Sequence, residues 1–226
     1  ALALPSMGEY ILKMMVGVVD TAFVGRLGAE QLAVSGLSWM LLFFCTMPLF
    51  GMNTGLSAIV ARHWGAKRYK EAGRVAGQAL ILNMIAGVLV TVVLIVFAPK
   101  LLKILGASPY VVETGSRFLR IISSSFIFSV MMFASHAILK ASGDTKTPMF
   151  VIGFVNVLNI GLDYCLIYGK FGFPEHGVIG VAEASALVRV IGAVISFGGL
   201  FLRFFRIYVT PEDFARIDLG IMKSVI

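Results

Sequence analysis

Apolar residues run along this chain in six long blocks separated by short polar segments, at about 2–24, 32–61, 75–98, 118–139, 149–168 and 178–201. An α-helix rises 1.5 Å per residue, so about 20 mostly apolar residues cross roughly 30 Å of hydrocarbon, and every block reaches that length. The second, third and fourth blocks hold long stretches free of Asp, Glu, Lys and Arg. The others are interrupted by Glu9, Lys13, Asp20, Asp163, Glu183 and Arg189. The pattern predicts an all-α membrane protein, a six-transmembrane-helix bundle over 1–206, followed by an amphipathic cytoplasmic segment over 207–226. A cleaved signal peptide does not fit, because the first block is too long and five more follow it.

Composition agrees with a chain dissolved in lipid. Hydrophobic residues make up 58% and charged residues 14%, with a mean hydropathy of +0.92, too little polar surface to coat a soluble globule. Basic residues gather in the loops on one side: Arg62, Lys67, Arg68, Lys70 and Arg74, then Lys140 and Lys146, then Arg203, Arg206 and Arg216. The opposite loops hold Arg26, then Lys100, Lys103, Arg117 and Arg120, then Lys170. Positive charge favours the cytoplasmic side, so both chain ends are expected there, in a multi-pass protein of the cell (inner or plasma) membrane. The net charge of +7 is accounted for by these loops. Nucleic-acid binding would need a basic face interleaved with stacking aromatics, and is not expected.

Cys45 and Cys165 fall inside blocks without a CxxC pair, so neither a disulfide framework nor a zinc site is indicated. His63, His136 and His176 lack ligand spacing. Ser135, Ser142 and His136 have no GxSxG elbow beside them, and no enzyme is expected.

The intramembrane acids carry the functional signal. A carboxylate at membrane depth costs about 2.5–3.5 kcal/mol on insertion scales, and such residues mark ion or substrate pathways. Asp20 and Asp163 each stand fifteen residues after a proline, Pro5 and Pro148. With both prolines in a first helical turn at the cytoplasmic end, both acids lie about 22 Å across, at matching depth in the outer half. The sixth block runs the other way and brings Ser185 toward the same layer. In the fifth block Asn156, Asn159 and Asp163 recur at helical spacing and share one face, which must turn inward. Amides and hydroxyls in such places also serve as plain interhelical ties.

Two carboxyls in one dry site favour sharing a proton and titrating as a unit. The neutral oxygens of Asn159 and Ser185 would let the same pocket, with Asp20 and Asp163, hold Na⁺, a hard cation that takes oxygen ligands. Proton and sodium both stay open, and no other metal or cofactor is implied. Glu183 is a further candidate acid, or a carboxylate sitting in the headgroup region. Glu9 and Lys13 are spaced to pair along one helix face. Asn156, Phe154, Met131 and Met132 are candidates for lining a substrate surface, since methionine repacks around varied ligands, with ordinary packing as the alternative. Gly51 with Gly55, and Gly73 with Gly77, fit close helix crossings.

Four segments resemble the multidrug and toxic compound extrusion (MATE) family, in the family's order. They are VDTAFVGRLG at 19–28, GLSAIVARHWGAK at 55–67, ASGDTKTP at 141–148 with Asn156, Asn159 and Asp163 downstream, and GVIGVAEAS at 177–185. Glu183 stands where the family pattern has an apolar residue, and Ser185 replaces a more usual threonine. The resemblance implies one lobe of a twelve-helix fold of the MOP superfamily. It also implies a secondary active antiporter that exports organic, often cationic, compounds in exchange for H⁺ or Na⁺ by alternating access. It carries a coupling-ion role onto Asp20, Asn159 and Asp163 and a hinge role onto Pro5. Because the chain stops at Ile226 and starts without methionine, the amino-terminal lobe alone is expected, with a carboxy-terminal lobe as its partner. Other readings are a lipid-linked oligosaccharide flippase of the same superfamily and a non-transporting membrane scaffold subunit.

Overall fold

The computed structural model describes residues 3–201, and the regular structure there is helical. The order is α1 (Ala3–Gly25), α2 (Ala29–Gly65), α3 (Tyr69–Ile104), α4 (Pro109–Ser124), α5 (Phe126–Ala141), α6 (Lys146–Tyr168) and α7 (Val178–Phe201). The expected cytoplasmic segment 207–226, with residues 202–206 before it, lies outside the described residues. Helices α2, α3, α6 and α7 are long and apolar enough to cross a bilayer, and α4 with α5 forms a fifth candidate, a pair bent by 47°. In α1, 23 residues carry Glu9, Lys13 and Asp20, and the bundle must shelter all three charges.

The fourth apolar block, expected as one helix over 118–139, is a broken span that begins at Pro109. Ser108 starts it, accepting from Val111 N at 3.4 Å while Pro109 takes the first turn, where its missing N–H costs nothing. The break falls in a run of serines. Ser124 Oγ donates to Ile121 O at 2.6 Å and Ser125 Oγ to Ile122 O at 2.9 Å, and hydroxyls that compete for helix carbonyls bend helices. Arg117 and Arg120 lie on the exposed side of α4, while Phe118, Leu119 and Ile122 are buried.

The third helix also departs from expectation, running through Pro99 to Ile104 rather than closing at 98. Its last turn is held by Leu105 N to Leu101 O at 3.2 Å and by burial of Leu102 against Gly115 of α4. That contact offsets the hydrogen bond a proline forfeits. Between α5 and α6, Gly143 takes the left-handed conformation (φ 85°) that ends α5. Asp144 then accepts from Thr147 N at 3.0 Å and Thr147 Oγ1 at 2.7 Å, so the ASGDTKTP segment is a stop and a start written together.

Two large apolar cores fill the lobe, and a smaller one of Val151, Val155 and Val188 joins α6 to α7. Of the large two, one is built on Val34, Leu41, Leu94, Leu102, Phe118 and Val181, the other on Leu56, Val75, Leu80, Ile138 and Leu200. In lipid, helices are drawn together by close packing rather than by water, so small residues matter at crossings. The tightest described crossings lie at Gly180 against the α6 backbone, Gly192 against Met132, and Gly115 against Leu102. Gly51, expected at a crossing, faces open space. Asn53 and Asn83 tie α2 to α3, Asn53 Nδ2 donating to Asn83 Oδ1 at 3.3 Å. Helix α1 lies at the edge of the lobe, packed mainly on α6, with Leu4, Met7, Tyr10, Met14 and Val18 exposed on its outer face.

Candidate functional site

Helices α1 and α6 run side by side in parallel, and their register is what brings the acids together. Asn156 Nδ2 donates to Leu12 O at 2.7 Å, and Tyr168 Oη donates to Phe23 O at 3.1 Å. These ties join residues 144 and 145 apart in sequence, nearly the separation between Pro5 and Pro148 and between Asp20 and Asp163. Gly8 and Gly153 let the two helices close, their open sides facing Met149 and Leu12. The two acids therefore fall between the two ties at one height. Phe23, Tyr164 and Tyr168 cover the outer end with mutual edge and tilted ring contacts.

Asp163 is fully buried and Asp20 is 7% exposed, and their carboxyls face each other within hydrogen-bonding reach. A hydrogen bond between two carboxyl groups needs one proton, so the geometry suits one shared proton better than two bare charges. Asn159 Nδ2 donates to Asp163 Oδ2 at 3.0 Å, orienting that carboxyl from one turn below. Oδ1 of each aspartate is buried with no protein donor. These are two inward oxygen acceptors, beside the amide oxygen of Asn159, and a proton or a small hard cation is the chemistry they can take.

The remaining candidates separate. Ser185 is buried on α7 but makes no hydrogen bond to either acid. Glu183 is held away from them, its Oε2 bonded to Nδ1 of His176 at 2.5 Å with both side chains partly exposed. Asn156 is spent on the α1 backbone. Phe154 is exposed on α6, Met132 is buried with its sulfur pressed toward Gly192, and Met131 is half-buried. Pro5 lies in an unbroken stretch of α1 and Pro148 in the first turn of α6.

A second polar centre was only half visible in the sequence. Glu9, 1% exposed, accepts from Lys13 Nζ at 2.7 Å and also pairs with Lys140 Nζ of α5 at 2.6 Å. Both ammonium groups lie over the Tyr10 ring, at 5.7 and 5.9 Å. Nearby, His136 Nε2 and Ser196 Oγ join α5 to α7 at 3.0 Å. Spacing revealed Glu9 with Lys13 because both sit on α1. Lys140 and Ser196 arrive from other helices, and no local pattern announces them.

Broken and unbroken apolar helices around a dry carboxyl pair define an all-α, multi-pass membrane protein of the transporter class. The chain belongs to the MATE family, whose MatE model matches residues 5–165. It is 39% identical over 196 residues to the probable multidrug resistance protein NorM of Thermotoga maritima, an alignment covering 86% of this chain and 42% of that protein. Among solved structures it resembles an outward-facing multidrug resistance MATE family transporter of the MOP superfamily, with TM-score 0.90 and 28% identity over 99% of this chain and 49% of the other. A MOP superfamily transporter from Pyrococcus furiosus, whose binding pocket is described as of reverse polarity and suggesting a different function, matches with the same TM-score, identity and coverage. The chain spans about half the length of the relatives it matches, and its fold is one lobe of that architecture.

Proposed function

We propose that this lobe is the ion-coupling half of a secondary active multidrug efflux antiporter, which exports organic, often cationic, compounds in exchange for H⁺ or Na⁺ by alternating access. The observation that carries the reading is the meeting of Asp20 and Asp163 in the dry interior, with Asn159 bonded to one of them. Ion uptake at this pair would change the charge between α1 and α6, and α1 would respond by bending near Pro5 at the edge of the lobe. Ser185 would act as a neutral oxygen at the same layer only after α7 shifts toward the acids. Residues 207–226 would link the lobe on the cytoplasmic side to a carboxy-terminal lobe, and substrate would enter between or within the lobes. The names borne by the relatives support export over the flippase reading.

Dye efflux from cells expressing the full natural reading frame tests the proposal, with Asp20→Asn and Asp163→Asn compared to the parent at matched membrane abundance. Each substitution removes the titrating group and keeps the volume, so each should reduce ion-driven export to background. Unchanged export in either variant would remove that residue from the coupling role.

A further inference from the structure

Arg189 is a cation inside the lobe that the carboxyl pair does not balance. It lies about 17 Å along α7 from Val178, near the middle of a bilayer-spanning helix. Ser185, Arg189, Gly192 and Ser196 recur at helical spacing. Ser185 is buried, Gly192 meets Met132, and Ser196 bonds His136, so this face of α7 turns into the bundle and takes Arg189 with it.

The guanidinium stacks over the Trp39 ring of α2 at 5.4 Å and donates from Nη1 to Ile122 O at 3.3 Å. That carbonyl, one turn before the α4–α5 break, already accepts from Ser125 Oγ. One long bond to a shared carbonyl engages a single N–H of a group built to donate several. Among the described residues no carboxylate comes within ion-pair distance of Arg189. Arg189 is partly exposed, and none of its nitrogens is both fully buried and without a partner. A guanidinium at this depth without an anion is costly, and one held over an indole ring with a single N–H engaged has further donors to offer a two-pronged oxyanion.

We infer that Arg189, stacked on Trp39, is the receptor for an anionic group such as a carboxylate or sulfonate carried by a transported compound. This deepens the proposed export function and rests on it for the identity of the ligand's carrier. It gives the lobe two poles: the aspartate pair takes a proton or cation, and Arg189 takes the negative group of a substrate bearing both signs or a negative one alone.

The test uses the full natural protein in detergent and a rhodamine dye with a free carboxylate beside the methyl ester of the same dye. Binding is followed by fluorescence polarisation for the parent, Arg189→Gln and Arg189→Lys. Loss of a charge-assisted hydrogen-bonded contact should weaken the free acid by about tenfold in Arg189→Gln and leave the ester nearly unchanged, with Arg189→Lys intermediate. Competition by added chloride against the acid alone would place a free anion in the same receptor and support it. Equal loss for acid and ester would make Arg189 a structural tie to Ile122 O. Acid binding unchanged by either substitution, or absent from the parent, would likewise overturn the inference. Carboxylate-dependent binding without export in cells would sink the transport reading and leave this one standing.

Discussion

Replacing Gly180 by alanine puts a methyl group where the α6 backbone already is. A Cβ built there lies 2.7 Å from Leu166 C, 2.8 Å from Leu166 O and 3.0 Å from Ile167 N, where ordinary contact begins at 3.4 Å. Backbone atoms cannot rotate away as a side-chain tip can, so α7 must lift off α6. Overpacking of this kind costs about 1–3 kcal/mol, with rigid backbone placing it toward the upper half. Alanine returns up to about 1 kcal/mol of helix propensity, less so in a first turn. Gly36→Ala in α2 supplies that gain without the clash, since nothing lies within 4 Å of its Cβ position. The difference between the two variants isolates the steric term, expected near 2 kcal/mol, or a melting temperature lower by about 4–8 °C for a domain of this size. Thermal unfolding of the full natural protein in detergent can be followed by thiol labelling, since Cys45 and Cys165 are free and half-buried. Equal melting of the two variants would refute the reasoning, for it would mean that α6 and α7 do not hold this contact as a rigid crossing. The consequence reaches function, because Gly180 sets the height of Ser185 and Arg189 against α6.

Other outcomes follow from the same contacts. The Glu9–Lys140 pair should show a coupling of about 1–3 kcal/mol in a double-mutant cycle of Glu9→Ala and Lys140→Ala, below the fully buried range because both lysines are partly exposed. Additive losses would mean that the pair does not tie α1 to α5. Asn156→Leu removes one interhelical bond and should lower stability by about 0.6 kcal/mol, and up to about 1.7 kcal/mol if the Leu12 carbonyl finds no new donor. A gain in stability would show that the α1–α6 register does not depend on it. Ser108→Ala should cost about 0.5 kcal/mol, the low end for a cap, because its bond to Val111 N is long, and hydrogen exchange confined to the first turn of α4 would read it.

Depth along the bilayer was legible in the sequence because it is a local quantity. Rise per residue and the thickness of hydrocarbon are the same for every helix, so equal distances from Pro5 and Pro148 already implied that Asp20 and Asp163 lie at one height. The apolar blocks, the shared face of Asn159 and Asp163, and the pairing of Glu9 with Lys13 belong to the same kind of information, since each is counted along a single helix. Rotation about the helix axis and choice of neighbour are not local. They decided that Asn156 donates to the α1 backbone, and that Glu183 turns to His176. They also brought Lys140 to Glu9 and left Arg189 against Trp39 with no acid beside it among the described residues. The break at Ser125 is a third case, where hydroxyls capturing helix carbonyls outweighed an unbroken apolar pattern. One dimension of the site was therefore written in the chain, and the other two emerged only when close packing at glycines such as Gly180 and Gly192 turned each helix to face its partners.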